Sequence, residues 1–238
     1  MYEWELEPGL RTAVLHPELH TVHDTRAAIL GPVVRDALAR AGPDATAIDL
    51  ACSEGWFGHR LLEWGAASVL GVDIRAENIE RAEMLRDHFG ISPKRLAFET
   101  ADVYELADRA PFDVVLCLGL VYHLENPVGA LRVARELTRG VCVIESQLTE
   151  QAEPIVHGWG VSGEFESQPA SWAAWYEPRQ GEHPIASHGG IVSFIPNRAA
   201  LLDALSAAGF GRVEPLPVAP DENVQYAEGH RIVVAAWP

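Results

Sequence analysis

Basic charge is what this chain has least of. Eighteen Lys and Arg stand against 34 Asp and Glu, a formal net charge of −16 over 238 residues. Repulsion of that size opposes approach to a polyphosphate, so a nucleic-acid substrate is disfavoured and a small-molecule partner expected. Cysteine is scarce too. Cys52, Cys117 and Cys142 each sit in an apolar run, are odd in number and lack C-x-x-C spacing. They form neither a disulfide framework nor a thiolate metal centre, and buried reduced thiols imply a cytoplasmic location. No run approaches the roughly twenty apolar residues of a membrane span, so no membrane association is expected. The start, MYEWELEPGL, has neither a positive segment nor an apolar core of an export signal. No carboxylate cluster has an octahedral ligand pattern, and Pro17 interrupts the face that His16, His20 and His23 would share, so no metal is expected. Repeats and low-complexity linkers are missing as well.

What is present is a length suited to one domain with insertions, read here as residues 1–238. A helical pattern runs from Asp24 to Ala41, its apolar face made by Ile29, Val33, Val34, Ala37 and Leu38, and Gly42-Pro43 stops it. Residues 1–44 therefore read as an N-terminal helical cap. Apolar strands follow at 46–51, 68–73, 96–99, 112–118 and 141–145, alternating with helices at 59–65, 77–89 and 128–137. That alternation specifies an α/β fold, a doubly wound, Rossmann-like, mostly parallel sheet that binds ligands at its carboxyl edge. Residues 146–193 break the pattern and read as a lid insertion. His157, Trp159, Trp172, Trp175 and Tyr176 there, with His183 and His188, are candidate substrate contacts. Clustered aromatics on a loop either wall off a planar acceptor or anchor the insertion to the core.

The stretch Ala47 to Gly58, AIDLACSEGWFG, organises the rest. An apolar run holding Asp49 passes through Ala51, Cys52, Ser53 and Gly55 into a helix. Unpaired N–H groups at such a helix start grip an anionic or zwitterionic ligand, and small residues let the ligand reach the backbone. The dinucleotide pattern G-x-G-x-x-G is not met, because Ala51 and Ser53 hold the nearest glycine positions. Asp73 closes the next strand in GVDIR. Its two oxygens suit the two hydroxyls of a ribose, the alternative being a helix N-cap.

DLACSEG followed by GVDIR resembles motif I of the class I S-adenosylmethionine-dependent methyltransferases, usually hydrophobic-D-hydrophobic-G-x-G-x-G. Ala51 and Ser53 replace the first two glycines and Gly55 is kept. FDVVLCLGLVYHLENPVGALR is similar to a branch containing small-molecule methyltransferases and the tRNA wobble-uridine carboxymethyltransferases. The resemblance implies S-adenosylmethionine as cofactor and S-adenosylhomocysteine as product. It places Asp49, Ala51, Cys52, Ser53, Gly55, Asp73, Ile74, Asp102, Val103 and Leu118 around the cofactor, with Asp102 meeting the adenine amino group and Val103 packing on the ring. It also implies an antiparallel pair, 213–218 with 231–237, completing about seven strands with helices on both faces. His123 is either the general base or a loop-holding residue, and Tyr122 would orient the acceptor. Three functions remain open: methyl transfer to an O- or N-nucleophile of an apolar or aromatic small molecule, carboxymethyl modification of tRNA uridine, and cofactor binding without catalysis.

Overall fold

The computed structural model describes residues 2–14, 19–150, 170–176, 192–219 and 223–238. The candidates His157, Trp159, His183 and His188, with His16, lie outside the described residues.

A short ribbon opens the chain, β1 (Glu5–Glu7) antiparallel to β2 (Leu10–Arg11), and leads to α1 (Leu19–Ala41). This helix starts five residues ahead of the expected Asp24, because Val22 is buried and extends the packed face. Pro32 sits inside it. Lacking an N–H, Pro32 leaves the carbonyl of Ala28 without its helical donor.

Alternation then proceeds as read: β3 (Thr46–Leu50), α2 (Trp56–Glu63), β4 (Ser68–Asp73), α3 (Ala76–His88), β5 (Leu96–Thr100), β6 (Phe112–Leu118) and α4 (Pro127–Glu136). Asn126 caps α4 by accepting from the Gly129 N–H at 3.0 Å, and Pro127 occupies the first turn, where no donor is needed. The next strand, β7 (Thr138–Gln147), is twice the expected length. Thr138 pairs with Phe112 of β6, while Ser146 and Gln147 pair with the last strand. Those end residues are polar, and only their partners make them strand.

The described part of the aromatic insertion is not irregular. Trp172–Tyr176 (β8) pairs antiparallel with Val192–Pro196 (β9), against the expectation of a patternless loop. After α5 (Arg198–Ala207) come β10 (Arg212–Pro215), the one-turn α6 (Val224–Ala227) and β11 (Arg231–Trp237). β10 stops at Pro215 rather than Val218, since Pro215 and Pro217 cannot donate to a ladder.

The main sheet has seven strands in the order β10-β11-β7-β6-β3-β4-β5. β11 runs antiparallel to both neighbours, and the five strands from β7 to β5 are parallel. The order reverses between β3 and β6, the switch point where a crevice opens at the carboxyl ends. Both faces are covered. Val141 and Val143 of β7 pack with Leu30, Val34 and Leu61 of α1 and α2, whereas Cys142 and Ile144 pack with Leu131, Leu201 and Leu205 of α4 and α5. Strands buried on two sides are apolar over most of their length, which accounts for runs such as VVLCL. Among the described residues no helix is long and apolar enough to cross a membrane.

Candidate active site

The loop after β3 turns sharply, and it does so without its expected glycines. Ala51 and Ser53 adopt φ of +59° and +51°, the left-handed region, and Gly55 caps α2 at +81°. Side chains are tolerated there at a cost of roughly 1–2 kcal/mol each. At Gly55 none would fit: a Cβ would stand 2.5 Å from the Phe98 ring. Gly71 of β4 faces the same ring, with a Cβ placed 2.6 Å from it.

Asp73 ties the loop to the next helix. One carboxylate oxygen accepts from the Ser53 N–H at 2.9 Å; the other accepts from the Arg75 N–H at 2.9 Å and the Asn78 amide at 3.1 Å. Ile74 beside it is exposed. Asp102 caps the single turn Val103–Leu106, accepting from the Tyr104 N–H at 3.1 Å, while the Glu105 carboxylate accepts from the Asp102 N–H at 3.3 Å. Val103 and Leu118 are buried, Val103 in the core beneath the edge and Leu118 at the end of β6.

Asp49 differs from both acids. It is 3 % exposed and, among the described residues, has no hydrogen-bond or ion-pair partner. Burial, then the charge of Asp73, push its carboxyl from the ordinary 3.8 up to about 8, with Arg26 pulling the other way. Cys52 beside it is buried and held protonated by the same exclusion of water.

Beyond the switch point the edge has another character. Gly119, at φ +71°, follows β6. A Cβ there would lie 3.5 Å from the Tyr122 hydroxyl and 3.8 Å from both Arg26 Nη2 and Glu145 Oε2. Glu145 is fully buried, bonded to Arg26 at 3.0 Å, Arg231 at 2.9 Å and the Tyr226 hydroxyl at 2.9 Å. Burial raises its pKa, but the two guanidiniums outweigh that and hold it below the usual range. Arg231 also donates to the Tyr122 hydroxyl at 3.3 Å, and Arg26 to the Tyr2 hydroxyl at 3.3 Å. His123 lies beside Tyr122, ring centres 4.3 Å apart and tilted by 43°, in the turn Val121–His123. That turn supports the β8–β9 hairpin, where the Phe194 N–H bonds the Leu124 carbonyl at 3.2 Å. Of the hairpin aromatics, Trp172 packs against the core, whereas Trp175 and Tyr176 are exposed.

The N-terminal ribbon closes the site from one side. The Tyr2 N–H donates to the Glu54 carboxylate, and its ring stacks on Trp56 at 5.1 Å. An apolar cleft of about 360 Å³ lies between this ribbon and α3, lined by Trp4, Leu6, Met84 and Leu85, beside the strand ends rather than on them.

The sequence reading thus brought together the residues of β3, β4, β5 and β6. It missed Tyr2, Arg26, Glu145, Tyr226 and Arg231. Glu145 closes the apolar run VCVIE just as Asp73 closes its own, so the same signal could have found it. The arginines carried none.

Comparison with known proteins agrees with this fold. The profile of a methyltransferase domain matches residues 42–182. The tRNA U34 carboxymethyltransferase of Helicobacter pylori is 30% identical over 124 residues, 48% of this chain and 47% of that protein. The same enzyme of Trichodesmium erythraeum is 22% identical over 173 residues, 72% of this chain and 46% of its own. The chain thus spans about half the length of the curated relatives it matches. Among solved structures, the N-terminal domain of EvdMO1, in the presence of SAH and D-fucose, superposes with a TM-score of 0.69 at 23% identity, covering 99% of this chain and 89% of that one. Magnesium protoporphyrin IX methyltransferase from Synechocystis, with bound SAM, gives 0.59 at 14%, covering 95% and 86%. At these identities the likeness concerns the fold.

Proposed function

The chain belongs to the methyltransferase-domain family, and from that premise we propose that it transfers a methyl group from S-adenosylmethionine to an O- or N-nucleophile of a small molecule. The observation that carries this reading is the set of acids on adjacent strand ends, Asp49, Asp73 and Asp102, around a loop with two left-handed non-glycine residues. The donor set fits the cofactor: Asp49 is buried with no ion-pair partner among the described residues, and Asp73 retains free lone-pair capacity. When bound, S-adenosylmethionine supplies an activated methyl on a sulfonium.

Asp73 would take the ribose hydroxyls, the Asn78 amide turning aside to free an acceptor position. Asp102 keeps one oxygen beyond its capping bond for the adenine amino group, with Val103 beneath the ring. Ala51, Cys52, Ser53 and Gly55 keep the loop low enough for backbone contact, and Ile74 and Leu118 flank the pocket. His123 is the residue to remove a proton from the acceptor, and Tyr122, held by Arg231, orients it. Trp172, Trp175 and Tyr176 enter as the acceptor wall because their hairpin rests on the His123 turn.

Calorimetric titration with S-adenosylmethionine, S-adenosylhomocysteine and NAD tests the reading. Micromolar binding of the first two and none of NAD is expected; NAD binding, or no binding at all, overturns it.

A second reading, carboxymethyl transfer to tRNA, draws on the relatives and on the meeting of Arg26 and Arg231 on Glu145, with Arg231 also on Tyr122. Against it, both guanidiniums are already paired with Glu145, and the net charge of −16 repels RNA. Transfer of label from a carboxylated donor to tRNA, absent with S-adenosylmethionine, would establish it in place of the first.

A further inference from the structure

A carboxyl group shut away from water and offered no partner is costly unless it is neutral or a ligand supplies the partner. Asp49 is such a group. It stands at the carboxyl end of β3, in the strand next to Asp73, with both acids buried. The charged and titratable groups around it come from every neighbouring element. Asp73 lies on β4, Cys52 in the loop, Arg26 on α1, Tyr2 in the N-terminal segment and Cys117 on β6. Burial raises the thiols and the Tyr2 phenol above their ordinary values, so none of the three carries charge near neutrality. Asp73 and Arg26 are then the charged neighbours, and Arg26 is already committed to Glu145 at 3.0 Å. Among the described residues no group hydrogen-bonds or ion-pairs with Asp49, and Arg26 offsets a charge on it only in part.

We propose that Asp49 is a proton-linked charge sensor: it holds a proton while the site is empty and releases it to solvent when the cationic methyl donor enters, so that donor and product are told apart by charge. The inference rests on the cofactor reading above. Its chemistry balances simply. The carboxyl O–H bond breaks, the proton leaves to the buffer, and the carboxylate is held by the cation that displaced it. A carboxyl pushed to about 8 is mostly neutral at pH 7, which leaves it a proton to give. S-adenosylmethionine carries a sulfonium that S-adenosylhomocysteine lacks. The product therefore draws the proton less strongly and leaves more readily.

The test is calorimetric titration at pH 7 in phosphate and in Tris, whose heats of ionisation differ. For the donor, the difference in observed heat should correspond to nearly one proton released, and for the product to clearly less. Donor affinity should rise up to about 50-fold from pH 6 to pH 8. Asp49→Asn keeps the shape and removes the proton; it should bind with heats that no longer depend on the buffer through this site, which also cancels the ligand's own titration. A parent whose donor affinity is flat across that range overturns the proposal without any variant. So does proton release that persists undiminished in Asp49→Asn. Absence of any donor binding by the parent is a different result, because it overturns the cofactor reading itself.

Discussion

The two halves of the strand edge are built on opposite electrostatic plans. Around β3, β4 and β5 stand three acids: Asp73 and Asp102 accept from backbone N–H groups, Asp73 also from the Asn78 amide, and Asp49 has no hydrogen-bond partner among the described residues. Around β6 and β7 two arginines share one glutamate among tyrosine hydroxyls. The first half carries acids and the second a paired ionic network. The difference in construction runs parallel. The half proposed to bind the donor, here the donor half, uses short segments that follow one another within one stretch of chain, whereas the half proposed to face the acceptor, here the acceptor half, gathers Tyr2, Arg26, Gly119, Tyr122, Glu145, Tyr226 and Arg231 from the whole length.

If the acceptor half is a structural network, breaking it should cost stability first. Glu145→Ala strands two buried guanidiniums and should lower unfolding free energy by about 3–5 kcal/mol in denaturant melts. The donor half should respond with the opposite sign. Unfolded Asp49 ionises near 3.8, while the folded carboxyl keeps its proton to about 8, so its contribution is intact at low pH and is lost as pH rises through that window. Asp49→Asn should therefore stabilise the unliganded protein, by at most about 4 kcal/mol at pH 7, with the gain gone near pH 4. Melts of both proteins across pH check this.

Function should separate the halves as well. His123→Ala is expected to lower turnover by about 100-fold or more with donor affinity unchanged, as single-turnover assays and calorimetry would report. Asp73→Ala should do the reverse, weakening donor binding by roughly 10- to 100-fold through lost charge-assisted hydrogen bonds. Should Asp73→Ala bind like the parent, the donor half is misplaced. The smallest effect belongs to the loop. Ala51→Gly relieves a left-handed torsion but loosens the unfolded chain, so a net gain under about 1 kcal/mol is expected in the same melts.

The donor half was legible because each signal in it is local. Small residues after an apolar run, an acid at a strand end and a Pro at a helix start all act on their immediate neighbours. Asp73 illustrates the limit of that reading. Its place was apparent, but its bonds to Ser53, Arg75 and Asn78 answer the ribose-or-cap alternative only in part, since it already binds the start of α3 without being its N-cap. The β8–β9 hairpin escaped the reading for a different reason. Trp172–Tyr176 becomes strand through pairing with residues sixteen or more positions away, and turn-forming residues in between conceal that pairing.

By itself, then, the order of residues determined the alternation of strand and helix, the apolar filling of the sheet and the loop on which a nucleoside would rest, because periodicity and backbone preference act within a few residues. The tertiary structure alone decided that Arg26 and Arg231 meet on Glu145, that the Tyr2 ring stacks on Trp56, and that burial beside Asp73 pushes the Asp49 carboxyl above its ordinary range. Those depend on which distant groups exclude water from one another. Dielectric environment and charge pairing are properties of a three-dimensional neighbourhood, and no stretch of chain carries them alone.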